Sequence, residues 1–62
     1  MRRELIQARG NKTQSEVASE IGISQKYLSK LEQGKRNPSM VTAIKISKYY
    51  NKPVNQLFVD FF

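Results

Sequence analysis

The stretch Gln14-Ser15-Glu16-Val17-Ala18-Ser19-Glu20-Ile21-Gly22-Ile23-Ser24-Gln25-Lys26-Tyr27-Leu28-Ser29-Lys30-Leu31-Glu32-Gln33 decides how this chain folds. Thr13 precedes it and Glu16 stands three residues later, a spacing at which each side chain satisfies a backbone N–H at a helix start. Val17, Ala18 and Ile21 then share one helical face. Gly22 takes a turn conformation that a side chain would oppose, and Ser24 is placed to cap a second helix over 25–33. Leu28 and Leu31 turn inward, and Ala18 is small where the two helices cross closely. Val17, Ile21, Ile23, Leu28 and Leu31 form the apolar seam of two helices joined by a tight turn containing glycine.

Once the seam faces inward, periodicity fixes the outer face of the second helix of this pair. It carries Gln25, Lys26, Ser29 and Lys30, with Ser24 and Gln33 at its ends. None is apolar and none is acidic; Glu32, the one acid of that helix, lies off the stripe and has a structural place. Glutamine can bond adenine bidentately and lysine can reach guanine O6 and N7, so this face is chemically able to read a DNA major groove.

Outward from this pair, helical punctuation continues in both directions. The first helix runs from Arg2 to Arg9, with Leu5, Ile6 and the stems of Arg2 and Arg9 toward the core, and ends at Gly10-Asn11. Past Gly34 comes a polar loop, Lys35-Arg36-Asn37-Pro38. Ser39 caps a fourth helix over 40–50, where Met40, Ala43, Ile44, Ser47 and Tyr50 repeat at helical spacing. Asn51-Lys52-Pro53 is a turn, and 54–58 reads as a short last helix. No segment alternates at period two. The expected architecture is an all-α bundle of five short helices forming one domain over 1–62.

The chain has 62 residues, no cysteine and no histidine. Disulfides and thiolate metal sites are therefore excluded, and the commonest acid–base catalyst is missing. Five scattered carboxylates and no glycine-rich phosphate loop leave no catalytic set, so an enzyme is not expected, nor is a cofactor. No apolar run approaches the ~18 residues of a membrane span, and no secretory signal follows the basic start, which suits a cytoplasmic protein. Eleven Lys+Arg against five Asp+Glu give a net charge of +6, which attracts polyanions. Lys45, Lys48 and the Arg2-Arg3 pair are expected to be solvated charges adding only long-range attraction.

The sequence resembles the lambda-type repressor and Cro family over about 5–58. The matching residues are Thr13-Gln14, Val17-Ala18, Ile21-Gly22-Ile23-Ser24-Gln25, Tyr27-Leu28-Ser29-Lys30-Leu31-Glu32, Gly34, Pro38-Ser39 and Val54-x-x-Leu57-Phe58. The resemblance implies a sequence-specific regulator of transcription, a repressor, bound to double-stranded DNA through the major groove. It implies that Gln14 contacts a phosphate and buttresses Gln25, which contacts a base. Lys26, Ser29 and Lys30 would meet base edges or nearby backbone, and Lys35 and Arg36 would lie along the phosphates. Tyr27 has two readings, a phosphate bond through its hydroxyl or packing against the following loop. A first-helix arginine of this family often pairs with the glutamate matching Glu32, which makes Arg9 the candidate, although the loop after it is shorter here than in many members. Lys52 also departs from the pattern, standing where an apolar residue is common.

The ending Leu57-Phe58-Val59-Asp60-Phe61-Phe62 carries one more expectation. Leu57 can fill the core of so small a bundle, but Phe58, Val59, Phe61 and Phe62 cannot all turn inward with it. An apolar patch left there marks an association surface, so a homodimer through the C-terminal segment and a near-palindromic operator are expected. A protein-interaction module on the same fold, such as an antitoxin or anti-repressor, is the alternative function.

Overall fold

Thr13 opens a helix as the sequence spacing requires. Its hydroxyl accepts from Glu16 N at 3.0 Å while the Glu16 carboxylate accepts from Thr13 N at 3.0 Å. The computed structural model describes residues 1–62 and contains five helices: α1 (Arg3–Arg9), α2 (Gln14–Ile21), α3 (Gln25–Gln33), α4 (Met40–Tyr50) and α5 (Val54–Leu57). Ser24 and Ser39 cap α3 and α4 in the same way, each hydroxyl accepting a backbone N–H three residues on. Gly22 and Gly34 end α2 and α3 in left-handed geometry, φ 92° and 77°, where a side chain would be strained.

Two apolar clusters hold these helices together. Leu5, Leu31, Ala43, Ile46, Leu57 and Phe58 form the larger, and Val17, Ala18 and Leu28 the smaller. Ile21, Ile23 and Tyr50 pack against both and join them. The α2–α3 seam is as the sequence predicts, with Val17, Ala18, Leu28 and Leu31 all buried.

The structure corrects the sequence reading in four places. Helix α1 begins at Arg3, and α5 ends at Leu57, each one residue short of expectation. On α4 the buried residues are Ala43 and Ile46, while Met40 and Ile44 face solvent beside Val41. Ala43 and Ile46 are what meet the core here. The Arg2 stem turns inward as expected, but its charge is not solvated: the residue is only 6% exposed, with its guanidinium inside a ring of acceptors. The C-terminus is as expected, since its apolar residues do not all turn inward: Phe58 joins the core completely, while Val59, Phe61 and Phe62 stay exposed, Val59 at 68%.

Candidate nucleic-acid interface

The outer face of α3 is fixed in place from below. Glu32 points inward and is 2% exposed. Arg9 grips it with two parallel hydrogen bonds, Nε to Oε2 at 2.8 Å and Nη2 to Oε1 at 3.2 Å, and Gln14 Nε2 adds a third at 2.9 Å. This forked pairing is the geometry that makes an arginine–carboxylate contact strong. It raises the Arg9 pKa above its already high ordinary value, chiefly through the hydrogen bond to Glu32. Arg9 Nη1 also donates to Lys12 O at 2.9 Å, which closes the α1–α2 turn. The three residues thus tie the end of α1 and the start of α2 to the last turn of α3.

Above this hub, one shallow surface depression is lined by Gln14, Gln25, Lys26, Ser29, Lys30, Gln33 and Lys35, with no apolar residue among them. Gln25 and Lys26 are exposed in the first turn of α3. Ser24 is exposed but uses its hydroxyl to accept from Tyr27 N. Ser29 and Lys30 are half-buried, and the Ser29 hydroxyl accepts from Gln33 Nε2 at 3.1 Å. Gln33, which the sequence placed only at the end of the stripe, therefore shares both the depression and a hydrogen bond with it. Lys35 and Arg36 follow Gly34 and are exposed.

Gln14 stands beside Gln25 in this depression, but its amide N–H goes to Glu32 and no hydrogen bond joins the two glutamines. Tyr27 is half-buried and packs at the edge of the larger core, with the Arg36 guanidinium 5.7 Å from its ring centre. The Tyr27 ring thus lies beside the loop that follows α3.

The acids are held away from this face. Glu16 is engaged by Thr13, whose backbone N–H is the main reason its carboxyl is held below the usual range. Glu20 is likewise held low, chiefly by the Tyr49 hydroxyl and then by Lys12. Asp60 pairs with Arg2 at 3.0 Å, which lowers its pKa. Glu4 sits in the first turn of α1, and Glu32 is buried against Arg9. What remains free near the depression is cationic: Lys26, Lys30, Lys35 and Arg36.

The helix-turn-helix family matches this chain over residues 3–57. The chain belongs to the Cro/C1-type helix-turn-helix family. Two uncharacterized HTH-type transcriptional regulators of Archaeoglobus fulgidus are each 36% identical to it over 54 residues, 87% of this chain and 76% and 77% of theirs. A third, from Methanocaldococcus jannaschii, is 33% identical over 49 residues, 79% of this chain and 74% of that protein. No solved structure matches the chain significantly. The matched stretch includes α2 and α3, which are joined across the Gly22 turn. No helix is long and apolar enough to cross a membrane.

Proposed function

We propose that this chain regulates transcription in the cytoplasm by reading a DNA sequence in the major groove with the outer face of α3. The carrying observation is the depression over that helix: seven polar or cationic residues, no apolar one and no acid. Gln25 and Lys26 are the base readers, being exposed and in the first turn of α3, where recognition helices meet base edges. Ser29 and Lys30 lie one turn further along. Ser24, Gln14 and Tyr27 border the phosphates, and Lys35 and Arg36 grip the backbone beyond the helix end. A domain seated on its site excludes other proteins from that stretch, which makes it a repressor.

Two copies act together on a near-palindromic operator. The molecule measures 25 × 23 × 21 Å, so one copy cannot span the ~34 Å between successive major-groove faces. The exposed Val59 and Phe61 lie in the tail that follows α5, and Gly34 at the end of α3 borders the same depression as Met1, Val59 and Asp60. A two-fold axis through this tail brings the ends of two α3 helices toward each other. One observation favours a second reading, a protein-interaction module on the same fold: Met40, Val41 and Ile44 make an exposed apolar stripe on α4.

Selection of bound sequences from a random duplex pool tests the main reading. Gln25→Ala or Lys26→Ala should then cost ~1–3 kcal/mol on the selected site and less on unrelated DNA. Variants that keep the wild-type ranking of operator mutants would remove α3 as the reader. A pool with no enrichment would favour the protein-interaction reading.

A further inference from the structure

Arg2 is the most heavily bonded side chain in the molecule, and it lies on none of the helices. Its guanidinium donates four hydrogen bonds: Nη1 to Leu31 O at 2.9 Å and to Arg36 O at 2.8 Å, Nη2 to Asn37 Oδ1 at 2.7 Å, and Nε to Asp60 Oδ1 at 3.0 Å. Its backbone N–H donates to Glu32 O at 2.7 Å. The Phe58 ring lies against it, 5.4 Å from the guanidinium carbon to the ring centre. One side chain therefore touches the end of α3, the loop after it, the core and the C-terminal tail.

Apart from the burial of Pro38 and the Arg36 guanidinium beside the Tyr27 ring, the loop over 35–38 is held by few bonds. Lys35 N and Arg36 N both donate to Lys30 O, at 2.9 and 3.3 Å, which fixes how the chain leaves α3. Apart from these two, the only hydrogen bonds of residues 36–38 are those from Arg2 to Arg36 O and Asn37 Oδ1. The next anchor is the Ser39 cap of α4. A polar loop with so few internal bonds samples many conformations unless something fixes its backbone. Here the fixing group is a buried arginine from the start of the chain. Its acceptors on the loop are the carbonyl of Arg36 itself and the side chain of the next residue.

We infer that Arg2 is a positioning residue for DNA binding: its guanidinium holds the Lys35–Arg36 loop in the conformation in which both cations meet phosphates. This rests on the reading of Lys35 and Arg36 as backbone contacts. Arg2 itself is buried, so it reaches no phosphate. A planar fork suits this role, because it points donors in several fixed directions while stacking on Phe58. A lysine ammonium carries the same charge but cannot reach the two loop acceptors and the ring together.

Arg2→Lys is therefore the informative variant, since it keeps the net charge at +6 and long-range attraction unchanged. The measurement is affinity for a short fluorescent duplex of fixed arbitrary sequence across a salt series, on protein shown to be folded by circular dichroism. Removing one cation from the phosphates flattens the slope of log affinity against log salt by roughly 0.9. Lys35→Ala/Arg36→Ala should flatten it, Arg2→Lys should flatten it by roughly 0.9 or more, and the triple variant should be no flatter than the double. Asn37→Ala, which removes only one acceptor of Arg2, gives a smaller flattening and replaces Arg2→Lys if that variant does not fold. A flattened slope for the double variant with an unchanged slope for Arg2→Lys, or for Asn37→Ala in its place, would overturn the inference and leave Arg2 a purely structural residue. An unchanged slope for the double variant would instead remove the loop from the phosphates, and the inference would fall with that reading.

Discussion

The α2–α3 pair and the half of the molecule from α4 to the tail are built with the same devices but present opposite surfaces. Helices α2, α3 and α4 are each opened by a hydroxyl cap, and each half contributes to the shared core. Yet the outer face of α3 shows no apolar residue, while α4 and the tail expose Met40, Val41, Ile44, Val59, Phe61 and Phe62. Packing demand does not explain the difference, because both halves bury aliphatic residues inward. On the proposed reading the outward positions differ because they face different partners: a polyanion for α3, and an apolar surface for the tail. The ion pair on the buried Glu32 carboxylate reaches the first half from α1, and Arg9 and Gln14 together stiffen the platform beneath the outer face of α3.

Breaking that platform should have the largest effect. Arg9→Met leaves the Glu32 carboxylate buried with only the Gln14 amide to hold it, a change worth ~3 kcal/mol of stability. A chain this size has only ~3–9 kcal/mol in total at roughly 0.05–0.15 per residue, so urea unfolding should show a largely unfolded or marginal protein. A loss well under ~1 kcal/mol would mean the pair is not what stiffens the α2–α3 half.

The tail is tested next. Val59→Ser/Phe61→Ser removes exposed apolar side chains without touching Phe58 or the Asp60 contact to Arg2. Each such side chain is worth ~1.5–3 kcal/mol when buried in an interface, so sedimentation should show the wild type associating and the variant monomeric. Identical sedimentation of the two would take the dimer interface away from the tail. A smaller effect shows how alike the halves are inside: Thr13→Ala at α2 and Ser39→Ala at α4 should each cost ~1 kcal/mol by loss of a cap. A large inequality between them would contradict the matched capping.

Acid has the mildest effect. Glu16, Glu20 and Asp60 are held below the ordinary carboxylate range by Thr13, Tyr49 and Arg2 respectively. Groups depressed in this way stabilise the fold above their unfolded pKa of about 4, and that contribution is lost as pH falls through their lower folded values. Unfolding free energy should be flat near neutrality and decline below about pH 4. A stability maximum in that acid range would show that these carboxylates are not engaged.

The α2–α3 half was legible in the sequence because its signals are local. A hydroxyl followed by glutamate three residues on, a glycine, and apolar residues at helical spacing need no knowledge of the rest of the chain. On α4 helical spacing grouped Met40, Ala43, Ile44, Ser47 and Tyr50, but apolar residues also occupy the 43/46/50 stripe, and the core takes Ala43 and Ile46 while Met40 and Ile44 stay outside. Arg2 was unreadable for a different reason. Helical spacing put its stem on the Leu5 face, but the acceptors of its guanidinium lie 29 to 58 residues away. The Arg9–Glu32 pair, separated by 23 residues, was reachable only through family resemblance.

Backbone amide shifts on titrating the protein with its selected duplex report most directly where DNA lands. The largest changes should fall on Gln25, Lys26, Ser29 and Lys30, with a second group at Lys35 and Arg36, while Met40, Val41 and Ile44 on α4 stay still. Changes centred on the α4 stripe, with the outer face of α3 unmoved, would contradict the assignment of the reading face.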